Sequence, residues 1–312
     1  MRPTRGLPSG RGAAPRGVGW LLLALVACLP ACRLAGPWPA LDAILPESTR
    51  IDASVPSPFG WEDDAPRTST VRAGQLVIRA DFGLAEQHRL FRDLEALRAD
   101  VSQDLGLPIS DEPVHLYLFA DHAAYEAFAS RHFPGFPVRR AFFIETDTVL
   151  AVFASWQDRI AEDLRHETTH GYVHAVVPRL PLWLDEGIAE HYELPRGEAG
   201  RHSHHAAHLS GRFLEGTWRV DLPRLESLSS AGELSQDHYA ESWAWVHWLL
   251  HTTPGRRRVL QEYLADLRRD GVAAPLSSRL VAAEGPLPKI HAAVVAHVEE
   301  IARNDRAAAA RD

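Results

Sequence analysis

The stretch Arg165-His166-Glu167-Thr168-Thr169-His170-Gly171 decides how the whole chain is read. On a helix, residues four apart share a face, with Cβ atoms about 5–6 Å apart. Two imidazoles so placed reach one metal ion at about 2.0–2.1 Å each. Glu167 lies about 100° around the helix from His166. That puts it beside such an ion rather than on it, where it can take a proton from a metal-bound water. The setting is helical. Residues 158–177 contain no Gly or Pro before Gly171. Ile160, Leu164 and Tyr172 are expected to face the core, and Asp158, Glu162 and Arg165 to face water. Pro178 stops the helix.

The next segment is Pro181-Leu182-Trp183-Leu184-Asp185-Glu186-Gly187-Ile188-Ala189-Glu190-His191-Tyr192. A zinc ion that does chemistry takes three protein ligands and keeps a fourth position open for water. Glu186, with 15 residues between it and His170, is the expected third ligand. Glu190 follows one turn later on the same face. It is expected to hydrogen-bond the far nitrogen of a ligand histidine, which fixes ring orientation and tautomer.

His166-Glu167-x-x-His170 followed by Trp183-Leu184-Asp185-Glu186-Gly187-Ile188-Ala189-Glu190 resembles the gluzincin metallopeptidases, the thermolysin-like zincins, and most of all their bacterial peptidase-MA-like branch. The resemblance is sharp over 160–193 and extends over about 140–250. It implies an α+β zincin-like fold, with a small mixed sheet and helices first and a mainly helical second half. It also implies one Zn²⁺ per chain on His166, His170 and Glu186, and hydrolysis of a peptide or protein substrate. Related gluzincins stabilise the developing oxyanion with a Tyr or His from a later helix. Tyr239 occupies a similar position here, with His238 as the alternative.

Upstream of the motif, strands are predicted over 75–80, 113–119, 140–144 and 148–153, and helices over 84–105 and 123–131. In the zincin plan an edge strand just before the metal helix lines the cleft and takes an extended peptide by strand addition. His115, His122 and His132 have no partner at metal spacing and read as surface or core residues. Downstream, the run 201–208 holds His202, His204, His205 and His208, without an accompanying glutamate motif. It reads as a solvated loop or helix start. His174 continues the 166–170 row but falls a turn beyond the ion. Further helices are predicted over 237–250, 255–269 and 287–303, followed by a frayed Ala-rich tail.

The N-terminus reads as an export signal. Arg2, Arg5, Arg11 and Arg16 precede an apolar run, Val18 to Ala27, that is too short to span a bilayer. The only cysteines, Cys28 and Cys32, each end a lipobox-like tetrapeptide, Leu25-Val26-Ala27-Cys28 and Leu29-Pro30-Ala31-Cys32. This resembles a bacterial lipoprotein signal over 1–32, with Cys28 the better fit to lipidation. A Pro-rich tether over 33–70 and a peptidase domain over 71–305 follow, the latter in two lobes of about 71–177 and 178–305. With no other cysteine in the chain, thiol hydrolysis and disulfides are excluded. Losing four arginines with the signal moves the net charge from -8 to about -12. That argues against nucleic acid and anionic bilayer surfaces as partners, leaving membrane attachment to the lipid anchor of an envelope protein, periplasmic or on the outer membrane. Two other readings are a silent zincin-fold binding or assembly module of the cell envelope, and a zinc hydrolase of non-peptide amides.

Overall fold

The computed structural model describes residues 61, 63–134 and 139–311. The signal segment 1–32, both cysteines, Trp38 and most of the 33–70 stretch lie outside them. Five strands, β1 (Ser69–Ala73), β2 (Leu76–Ala80), β3 (Val114–Phe119), β4 (Ala141–Glu145) and β5 (Leu150–Ser155), form one sheet in the order β1-β2-β3-β5-β4. The two central pairings, β2 with β3 and β3 with β5, are parallel, and the outer ones are antiparallel. Ten helices accompany it: α1 (Arg89–Leu105), α2 (His122–His132), α3 (Ile160–His174), α4 (Leu182–Tyr192), α5 (Ser203–Leu214), α6 (Leu222–Glu226), α7 (Gln236–His251), α8 (Pro254–Asp270), α9 (Leu276–Glu284) and α10 (Leu287–Ala309). The fold is α+β, a small mixed sheet followed by a mainly helical half.

Alternation along the strands separates the two faces of the sheet. On β5, Leu150, Val152 and Ala154 join the core beneath α1 and α3, while Ala151 and Phe153 point the other way. β3 divides in the same manner, with Leu116 and Leu118 on one side and Tyr117 and Phe119 on the other. The second face is closed by Tyr125 and Phe128 of α2 and by Trp61, which meets Phe153 edge-on at 5.5 Å. The ordered fold therefore begins before residue 71. Trp61 and Ala65 are buried, and β1 starts at Ser69, inside the stretch expected to be tether. Five residues are too few to announce a strand, and β1 is held by its antiparallel register on β2.

One apolar cluster runs without interruption from Val71 to Ala302, so the two expected lobes share a core. α7 lies at its centre and is buried on every side from Tyr239 to Leu250. α1 shows the predicted stripe of Leu90, Leu94, Leu97, Val101 and Leu105, but begins at Arg89 instead of residue 84. α10 continues to Ala309, through the residues expected to fray.

Two glycines fix how closely the site-bearing helices approach. A Cβ on Gly171 would fall 2.7 Å from Val114 Cγ1, so α3 rests directly on β3. A Cβ on Gly187 would fall 2.5 Å from the Ser242 carbonyl oxygen, so α4 touches the backbone of α7. These two contacts set the height of the site above the sheet and the distance from Glu186 to α7.

Candidate metal centre

α3 and α4 bring His166, His170 and Glu186 together. Their ligand atoms lie within 4.8 Å of one another. Glu186 Oε2 is 3.6 Å from His166 Nε2 and 4.0 Å from His170 Nε2. A tetrahedral zinc site with bonds near 2.0–2.1 Å separates its donor atoms by about 3.3 Å. All three side chains are buried, His170 and Glu186 completely. None of the three inward atoms has a hydrogen-bond partner among the described residues. Buried polar atoms are almost always paired, so three orphans facing one point fit a cation. Glu167 Oε2 is a fourth such atom.

The outer nitrogens are all taken. His166 Nδ1 donates to Glu193 Oε2 at 3.0 Å, and His170 Nδ1 donates to Asp185 Oδ1 at 2.9 Å. Each bond leaves Nε2 free to face inward, the arrangement that orients a ligand imidazole. Behind Asp185, its Oδ2 contacts His174 Nε2 at 2.9 Å, and His174 Nδ1 contacts Glu145 Oε2 at 2.6 Å. This chain runs from His170 to Glu145 at the end of β4. Arg165, expected to face water, is buried instead, with Nε on the Glu193 carbonyl oxygen and Nη1 on Asp93.

The expected role of Glu190 is corrected. Its carboxylate meets His205 Nε2 at 2.7 Å, and Glu193, one turn on, meets His166 Nδ1. Glu186, Glu190 and Glu193 follow one helical face at i, i+4 and i+7, so the same periodicity that marked Glu190 pointed also to Glu193. The 201–208 run is a helix start, one of its two expected readings, but it is not solvated throughout. α5 is a folded helix, and His202 and His205 are buried against α4 and Trp243. His202 Nε2 donates to Glu193 Oε1 at 2.9 Å. Histidine at a buried helix start looks like solvated histidine until the carboxylates that receive it are known.

Of the two residues named for α7, Tyr239 reaches the centre, with its hydroxyl 3.5 Å from Glu186 Oε1. His238 caps the helix instead, accepting the Ser235 N–H at 3.0 Å. His115, His122 and His132 face Arg79, Glu126 and Asp64 respectively, away from the centre.

Burial sets the electrostatics. It pushes Glu167 and Glu186 up, each to about 7. It also pushes His170 down to about 4, against the pull of Asp185. For His166 burial opposes the charge, but Glu186 and Glu193 outweigh it and hold the imidazole well above its ordinary range. In the same way Asp185 and Glu145 overcome burial at His174 and lift it to about 10. Glu193 lies far below the usual carboxylate range, because His166 and His202 outweigh its burial. Glu186 and Glu193 thus favour the charged form of His166, while burial favours the neutral form of His170.

No protein family and no curated protein matches the chain. Among solved structures it is similar to an M1 zinc metallopeptidase from Deinococcus radiodurans and to a mutant of that enzyme. The TM-score is 0.39 and the identity 16% for the first, and 0.39 and 14% for the second. Each alignment covers 76% of this chain and 50% of the other, so the chain spans about half the length of these structures.

Proposed function

We propose that this protein is a zinc metallopeptidase that hydrolyses peptide bonds. The observation that carries the reading is the convergence of three buried, unpartnered donor atoms, His166 Nε2, His170 Nε2 and Glu186 Oε2, beside the unpartnered Glu167 Oε2. His166, His170 and Glu186 would hold the ion. A zinc ion bound there supplies Lewis acidity and lowers the pKa of its water towards 7. Glu167 takes the proton of the attacking water and delivers it to the leaving nitrogen. Tyr239, 3.5 Å from Glu186, donates its phenolic hydrogen to the oxygen that gains charge, a contribution of about 3–4 kcal/mol in oxyanion holes. Glu193 and Asp185 hold the two imidazoles in register.

Two further features support a peptide substrate. β4 lies at the edge of the sheet, and α3 packs against it. An extended chain can add to such an edge. Nucleic acid is not a partner in this reading, because the described surface belongs to an acidic chain. The protein is placed in the cell envelope, held by a lipid on Cys28 or Cys32. No described helix is long and apolar enough to cross a membrane.

Elemental mass spectrometry of the purified chain beside His166→Ala tests the centre. The variant is expected to lose one equivalent of zinc. Wild type that stays metal-free after incubation with zinc, while folded, sinks the enzyme reading and favours a binding module. A peptide-library digest then separates peptide from non-peptide hydrolysis. Tyr239→Phe is expected to lower kcat by about 10²–10³ with KM little changed.

A further inference from the structure

Behind the first centre, on the side away from the sheet, stands a second group of potential ligands. Glu190 Oε2 lies 2.7 Å from His205 Nε2 and 3.9 Å from His202 Nε2. Ligand atoms of Glu190, His202 and His205 all fall within 4.8 Å of one another. Glu193 Oε1 adds a fourth, 2.9 Å from His202 Nε2. The four side chains are each more than nine-tenths buried, and the two imidazoles stack at 3.8 Å. His205 Nδ1 is buried without a hydrogen-bond partner, so no second bond fixes that ring.

Charge argues in the same direction. Two carboxylates out of water need positive charge nearby. The Arg165 guanidinium is engaged by Asp93 and by the Glu193 carbonyl oxygen. Glu193 Oε2 receives the Nδ1 hydrogen of His166. His202 and His205 are the two imidazoles that face Glu190 and Glu193. Two imidazoles with two carboxylates form a donor set for a borderline divalent transition metal.

We propose that Glu190, His202 and His205, with Glu193 as fourth donor, form a second divalent-cation subsite of the zinc class, linked to the first through the two oxygens of Glu193. The link to the first centre rests on the zinc reading of that centre, and the geometry stands without it. Binding on His202 Nε2 moves that ring's proton to Nδ1 and gives up the 3.4 Å capping contact from the His205 N–H.

The test titrates metal-free, untagged full-length chain with Zn²⁺ and counts retained zinc by elemental mass spectrometry after gel filtration. Circular dichroism confirms that each variant is folded. Wild type is expected to retain two equivalents, and His205→Gln, Glu190→Gln and His166→Ala one each. His204→Gln, an exposed neighbour, is expected to keep two. Wild type that saturates at one equivalent, lost in His166→Ala but kept in His205→Gln, overturns the second subsite and leaves the first standing. Two equivalents that survive His166→Ala overturn the first. A second zinc lost in His204→Gln rather than in His205→Gln is surface binding and overturns the subsite.

Discussion

Two parts of this molecule are rich in buried histidine, and they are built in opposite ways. Between α3 and α4, carboxylates hold the outer nitrogens of His166 and His170, and the inner nitrogens converge with Glu186 Oε2, unpartnered among the described residues. Where α4, α7 and α10 meet, His191, His247, His251 and His297 form a column. His247 Nδ1 lies 2.8 Å from His297 Nε2, and His251 Nε2 lies 3.3 Å from His191 Nε2. The rings of His247 and His251 stack at 4.4 Å. Among the described residues no carboxylate hydrogen-bonds any of the four. Burial and the neighbouring rings push His247 down to about 2, and burial pushes His297 down to about 4. One histidine cluster is arranged to hold a positive charge and the other to avoid one. Local histidine count does not separate them; the partner of each nitrogen does.

The sharpest way to break this comparison is to truncate one histidine from each cluster. His166→Ala is expected to abolish retention of the first zinc and all turnover. His247→Ala is expected to leave zinc content unchanged and to lower the melting temperature through the cavity it leaves. Equal zinc loss in both would show that the column also holds metal.

Next in size is the removal of the proton carrier alone. Glu167→Gln keeps the volume and the ligands, so zinc content is expected to hold while peptide cleavage falls by about 10²–10⁴. Full activity in that variant would move the base elsewhere.

A smaller effect tests the carboxylates that set the first cluster apart. Asp185→Asn and Glu193→Gln are each expected to weaken zinc affinity by about 10–100-fold, read by competition with a chelating dye. Glu190→Gln, whose partner is His205, is expected to leave the affinity of the first centre within a few fold.

The last prediction belongs to the column and has a definite sign. An unfolded histidine takes up its proton near pH 6.5, whereas His247 and His297 do so only near pH 2 and pH 4. The stability owed to their neutral forms is fully present above about pH 7. It is lost as the pH falls below 6.5, because the unfolded chain then binds protons that the native one does not, by up to about 1.4 kcal/mol per pH unit per histidine. Melting of metal-free protein between pH 7 and 4 is expected to show this slope, and His247→Gln to flatten it. An unchanged slope would show that the column plays no part in acid sensitivity.

Much of this was legible from the chain alone. The strands β2 to β5 and the long helices appear near their expected positions, because period-2 and period-3.6 patterns are properties of local backbone geometry. The i, i+4 histidines of α3 had to share a face for the same reason. The misses have one cause in common. β1 exists because β2 pairs with it, and the histidines at the start of α5 are buried because Glu190 and Glu193 receive them. A five-residue segment or a histidine-rich run carries no sign of a partner far away in the chain.

The sequence by itself determined the class of the fold, the helix that carries His166, Glu167 and His170, and the face of the next helix that carries Glu186. Tertiary structure decided which carboxylate serves which histidine, that Tyr239 and not His238 reaches the centre, and that one histidine cluster gathers charge while the other excludes it. The physical reason is range. Helix and strand periodicity is enforced within a few residues, whereas the state of a buried imidazole depends on groups that only the packing of α3, α4, α5 and α7 brings within hydrogen-bond distance.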